Sequence, residues 1–105
     1  MKHWTAGIIA VFFAARAFAD DPVVVTDMTQ LQWQADPTGK VYIRNLSQFD
    51  STFLGCCYNF YIDTTTAQGK VMWSAIQVYM TTGGVLEFFV GSKSQPGPVT
   101  YLGNQ

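Results

Sequence analysis

One stretch departs from the two-residue alternation that runs through much of the chain. In "AQGKVMWSAIQVYMTT", from Ala67 to Thr82, Met72, Ala75, Ile76 and Tyr79 fall at i, i+3, i+4 and i+7. That spacing places them on one stripe of a helix. The three threonines after Asp63 offer its N-cap. Gly83-Gly84 offers its end, because glycine takes the left-handed conformation without a side-chain clash. One helix set among alternating segments restricts the fold to strands packed around or against it.

The strands follow from period and punctuation. Val23 to Trp33 is rich in β-branched residues and alternates imperfectly, which predicts a long strand with a bulge or bend. Asp36, Pro37 and Gly39 mark a turn. Lys40 to Leu46 alternates cleanly, with Val41 and Ile43 on one face and Tyr42 and Arg44 on the other. A polar connection, "SQFDSTFLG", then leads to a third strand from Cys56 to Ile62. There the even positions Cys56, Tyr58, Phe60 and Ile62 are the more apolar set and are expected inward. Cys57, Asn59 and Tyr61 are expected outward. After the helix, "VLEFFV" reads as a strand with Leu86, Phe88 and Val90 inward. Gly91 to Pro98 reads as a loop, and "VTYLGN" as a short last strand. The predicted core joins Phe60, Ile62, Ile76, Leu86 and Phe88. The order β-β-β-α-β-β, all-β with one helix, is the connectivity of the five-stranded OB-fold barrel.

The N-terminus reads as an address. Lys2 and His3 form a polar lead, Trp4 to Ala15 is apolar, and Ala17-Phe18-Ala19 has the small-x-small pattern of a signal-peptidase site. The apolar run is shorter than the about 20 residues a membrane-spanning helix needs. Residues 1–19 are therefore expected to be a signal peptide, and 20–105 a single domain with no stable membrane span. The expected location is secreted or periplasmic, in a gram-negative bacterium. Beyond the leader, which holds Lys2 and Arg16, four basic residues stand against seven acidic ones. A mildly acidic chain with no basic run lacks the electrostatic footprint of a nucleic-acid binder.

Catalytic chemistry has little to work with. The one histidine is His3, in the leader, so no Ser-His-Asp or Cys-His centre is expected in the domain. Two cysteines without histidine make a poor tetrahedral zinc site. Neither a metal nor another cofactor is expected, and the chain reads as a non-enzyme. The cysteines, Cys56 and Cys57, are adjacent and allow three readings. Cys56 can be a buried small hydrophobe beside a surface thiol at Cys57; the two can form a vicinal disulfide; or Cys57 can bridge to another chain in an oxidising compartment.

The junction Tyr79-Met80-Thr81-Thr82-Gly83-Gly84, followed by the strand Val85 to Val90, resembles a segment in certain AB5 toxin B subunits. These are of the subtilase-cytotoxin and typhoid-toxin kind. The junction is equally similar to small exported OB-fold proteins of gram-negative bacteria. The resemblance implies an OB-fold, glycan binding and assembly into a homo-oligomer. It also implies a disulfide from the third strand to a later segment. Cys56 or Cys57 fits the first half of that pair, but Gly91 to Pro98 contains no cysteine for the second.

Two surfaces are candidates for binding. OB-folds commonly bind oligosaccharides or oligonucleotides across strands two and three. The outward residues there are Tyr42, Arg44, Asn59 and Tyr61, two rings with a guanidinium and an amide, a set suited to a sugar. The second surface is the helix flank with Trp73, Gln77 and Met80, residue types of which the aromatic and methionine are enriched in interfaces. Two classes of function fit: a lectin-like, toxin B-subunit-like binding module, and a structural or accessory periplasmic protein without a small ligand.

Overall fold

Alternating segments become strands where one of their two faces can be buried, and the computed structural model shows which do. It describes residues 20–104; the expected signal peptide lies outside the described residues. The strands are β1 (Asp21–Val25), β2 (Trp33–Ala35), β3 (Lys40–Ile43), β4 (Phe60–Asp63), β5 (Leu86–Val90) and β6 (Gly97–Gly103). The helices are α1 (Leu46–Phe49) and the long α2 (Ala67–Thr82). The strands form one mixed sheet in the order β1-β5-β6-β4-β3-β2, in which only the β4–β6 pair is parallel. The architecture is mostly β with one main helix. No helix among the described residues is long and apolar enough to cross a membrane.

The first expected strand is divided. β1 ends at Val25, and a 3₁₀ turn, Met28–Gln30, separates it from β2. The side chain of Asp27 accepts hydrogen bonds from the backbone N–H and hydroxyl of Thr29, at 3.0 and 2.6 Å. This cap turns the chain and delivers Met28 to the core, where it is fully buried. Buried Asn45 holds the same crossover to the end of β3. Its amide donates to the Gln30 carbonyl at 2.9 Å, and its oxygen accepts from the Gln32 N–H at 2.8 Å. As a result β1 pairs with β5, while β2 pairs with β3.

The core is one cluster, built from the inward positions of every strand but β2 and from the helix. Val41 and Ile43, Phe60 and Ile62, and Leu86, Phe88 and Val90 are all buried, as is Ile76 of α2. Phe53, in the segment read as a polar connection, is buried too, as is Leu46, the expected end of the second strand, which instead opens the short α1. Thr66 caps α2 by accepting from the Gly69 N–H at 3.0 Å, and Gly83 ends it at φ 79°. Gly69 is where the helix meets the end of β4 most closely. A Cβ there would lie 1.8 Å from the Asp63 carbonyl oxygen, so no larger residue fits.

Two inward–outward assignments are corrected. Cys56 is exposed and Tyr58 is 56% exposed, so the even positions before Phe60 do not face the core. The Sγ atoms of Cys56 and Cys57 are bonded across a cis peptide. Bonded neighbours share a side, whereas neighbours in a strand point to opposite faces. Regular alternation therefore starts only at Phe60. Trp73 and Met80, expected on the outer flank of the helix, are instead half-buried and pack against the core; only Gln77 of that trio is exposed. The inward stripe of α2 is wider than the residues at strict i, i+3, i+4 spacing. Its outward residues include Val71 and Val78, 70% and 59% exposed.

Phe88 is completely buried at the centre of this cluster. Phe88→Ala is expected to lower stability by about 3–5 kcal/mol, a large part of the about 5–15 kcal/mol that holds a typical domain together. Denaturant unfolding measures it. An unchanged midpoint and slope would contradict the packing.

Candidate functional site

Burial of Val41, Ile43, Phe60 and Ile62 sends the residues between them to the opposite face. The register then aligns them across the sheet. Gln34 of β2 lies opposite Tyr42 of β3, Tyr42 opposite Tyr61 of β4, and Tyr61 opposite Pro98 of β6. One transverse row thus carries an amide, two phenol rings and a proline.

The tyrosines pack edge to face. The Tyr42 and Tyr61 ring centres are 5.8 Å apart at 62°. Tyr58 joins them from the preceding bend, 5.4 Å from Tyr42 at 90°. Such T-shaped pairs place a positive ring edge against a negative ring face. The Tyr58 hydroxyl donates to Gln34 Oε1 at 2.9 Å, which closes this end of the row. Lys40 Nζ lies 5.1 Å from the Tyr61 ring centre.

Arg44 stands at the other end of β3's outward line. Its Nη2 donates to Cys57 Sγ at 3.3 Å and approaches Cys56 Sγ at 3.9 Å. Its guanidinium carbon is 5.9 Å from the Tyr58 ring centre. Nε is buried and has no hydrogen-bond partner, and Arg44 pairs with no carboxylate among the described residues. Sulfur is a weak acceptor. The guanidinium therefore retains most of its donor capacity beside the Tyr58 ring.

All four residues anticipated as the binding face, Tyr42, Arg44, Asn59 and Tyr61, are half-buried. Tyr42, Tyr61 and Arg44 come together on one face. Asn59 serves a different end: its amide donates to the Gly55 carbonyl at 2.7 Å, and its own carbonyl accepts from the Gly97 N–H at 2.8 Å. It ties the bend around the cysteines to the start of β6. Sequence reasoning missed Tyr58, whose parity pointed inward, and Gln34 and Pro98, which become part of the row only through strand pairing. On the helix flank, Gln77 is exposed while Trp73 and Met80 are half-buried. Trp73 meets Trp33 edge to face, with ring centres 4.9 Å apart.

Compared with protein-family models, curated proteins and solved structures, the chain matches none.

Four acidic residues frame these elements in one repeated arrangement. Asp27, Asp36, Asp50 and Asp63 each accept, through Oδ1, from the backbone N–H and the hydroxyl of the threonine two residues on. The threonine hydroxyl is the main cause that holds each carboxyl below its usual value near 3.8. Asp36 and Asp63 bracket β3 and β4, and the Lys40 charge lowers both further. A carboxyl with a folded pKa below its unfolded value stabilises the fold above the unfolded pKa. That stabilisation is lost as pH falls through the folded pKa. The melting temperature is therefore expected to fall as pH drops below about 4. Replacing Thr29, Thr38, Thr52 and Thr65 together by alanine should flatten that fall. An equally steep acid loss in the quadruple variant, followed by thermal melting, would contradict the assignment.

Proposed function

We propose that this chain is an exported, non-catalytic carbohydrate-binding module built on an OB-fold barrel, with the outward face of β3 and β4 as its site. Export rests on the leader sequence and its small-x-small end, and sets the location as secreted or periplasmic. The absence of histidine beyond His3 supports a binder over a catalyst. For the barrel, the supporting features are the parallel β4–β6 pair and the helix between β4 and β5. β1 and β2, paired to β5 and β3, then read as two halves of one interrupted first strand. On that mapping β3 and β4 are strands two and three, whose face OB-folds commonly use for oligosaccharides. The likeness of Tyr79–Gly84 to toxin B-subunit junctions favours the same class.

One observation carries the sugar reading: the row Gln34–Tyr42–Tyr61–Pro98, joined by Tyr58 and by Arg44, which has no carboxylate partner among the described residues. Phenol rings offer flat apolar surface to the C–H face of a pyranose, while their hydroxyls and the guanidinium fork meet its oxygens in fixed directions. A single-stranded nucleic acid would want a basic groove as well as rings. The two cations here, Lys40 and Arg44, lie among acids at one end and sulfurs at the other.

A glycan array probed with the purified protein tests the reading, with affinities then measured on the best ligand. Tyr58→Ala is expected to weaken binding about tenfold. Being largely exposed, Tyr58 should cost about 0.5 kcal/mol or less of stability when removed. Arg44→Lys, which keeps the charge but loses the planar fork, should weaken binding similarly. Wild-type affinity in both variants, or no glycan bound by the wild type, would overturn the proposal.

A further inference from the structure

A cavity of about 400 Å³ opens between the end of β4, the first turn of α2 and the first half of β6. Its size falls within the about 300–1,000 Å³ typical of small-molecule sites. Tyr61 and Pro98 line it, and they are also the last two residues of the transverse row. The cavity and the aromatic face therefore share a wall. Met72 adds an apolar surface from the helix, and Asp63, Gln68 and Thr100 bring polar groups.

The Thr100 hydroxyl is engaged with Asp20 and the Phe89 carbonyl, whereas Asp63, Gln68 and Tyr61 keep polar atoms that are not used up within the described fold. Asp63 engages Thr65 through Oδ1 alone, so Oδ2 accepts no hydrogen bond among the described residues. Gln68 is exposed on the first turn of α2, and its amide has no partner among the described residues. The Tyr61 hydroxyl is likewise unbonded among them. Among the described residues no lysine or arginine lines the cavity, and the one charged group that does is a carboxylate. Such a wall suits a ligand that donates hydroxyl hydrogens to Asp63 and accepts from the Gln68 amide. It disfavours an anion, which would face the Asp63 carboxylate with no cation in the cavity wall, Lys40 standing beside Asp63 but outside the lining.

We propose that this cavity is a second subsite, which takes a neutral pyranose unit of the same glycan whose neighbouring unit lies on the Tyr42–Tyr58 face. The inference rests on the carbohydrate reading above and adds a place and a charge class to it. Tyr61 stands between the two subsites. One ring can therefore contact its inner side while the linked ring lies against Tyr42.

Amide NMR on labelled protein, purified from a host expressing the full chain, separates the two claims. The probes are the methyl glycosides of glucose, galactose, mannose and N-acetylglucosamine, the disaccharides lactose and cellobiose, and methyl glucuronide as the charged counterpart of the glucoside. A neutral monosaccharide is expected to shift the amides of Gln68, Gly69 and Thr100, and a disaccharide to shift those of Tyr42 and Tyr58 as well. The glucuronide should bind about tenfold more weakly than the glucoside. Gln68→Ala should weaken the neutral sugar about fivefold or more with unchanged melting, because its side chain is exposed and unbonded. Shifts confined to Tyr42, Arg44 and Tyr58 would overturn the cavity subsite and leave the face reading standing. Shifts at the cavity amides with none at the face for either disaccharide would overturn the shared ligand. A glucuronide bound as tightly as the glucoside would overturn the charge class, and no shift with any probe would overturn both claims.

Discussion

Burial of one side of β3 and β4 is the constraint from which the rest of the site follows. Val41, Ile43, Phe60 and Ile62 are each almost wholly out of water. A slip of one residue in the pairing would exchange them for Lys40, Tyr42, Tyr61 and Asp63. Apolar burial at about 25 cal/mol per Å² makes that exchange costly. The outward row is thus held in place by the core behind it. An outward row of phenol rings is stable here because its geometry is set by the buried residues behind it.

The ends of these strands are fixed by a different and more local physics. A carboxylate that bonds the backbone and hydroxyl of the threonine two residues on closes a turn by itself, and the chain uses it at Asp27, Asp36, Asp50 and Asp63. At Asp63 the same turn feeds directly into the N-cap of α2, whose Thr66 hydroxyl donates to the Asp63 carbonyl at 2.9 Å. Gly69 then lets the helix approach that carbonyl. The cavity beside Tyr61 lies at this junction of strand end and first helical turn, so the devices that terminate β4 also shape the proposed subsite.

Where local pattern and global packing agree, the sequence is easy to read. The alternation of Lys40 to Ile43 and Leu86 to Val90, the Thr66 cap, the Gly83 end and the burial of Phe60, Ile76 and Phe88 all follow from period and punctuation. Other features needed information that no single segment holds. The 3₁₀ turn at Met28 competes with a run of β-branched residues, and it forms because Met28 can enter the core while its N–H donates to the Gly84 carbonyl at 3.1 Å. Trp73 and Met80 turn inward because the helix offers the sheet a broad face, with Trp33 arriving from β2 to cover Trp73. Tyr58 was misplaced by parity, since a strand rhythm extended backward through Cys56 and Cys57 does not survive their bond. The row itself exists only once β2, β3, β4 and β6 are paired.

The most direct test of this account is the environment of the Tyr58 ring. Nuclear Overhauser contacts from its ring protons can be read without any ligand. With ring centres 5.4 Å apart, the account predicts contacts from Tyr58 to the Tyr42 ring and to the Arg44 side chain. Contacts from Tyr58 to Ile43, Phe53 or Phe60 would place it in the core and contradict the outward aromatic face.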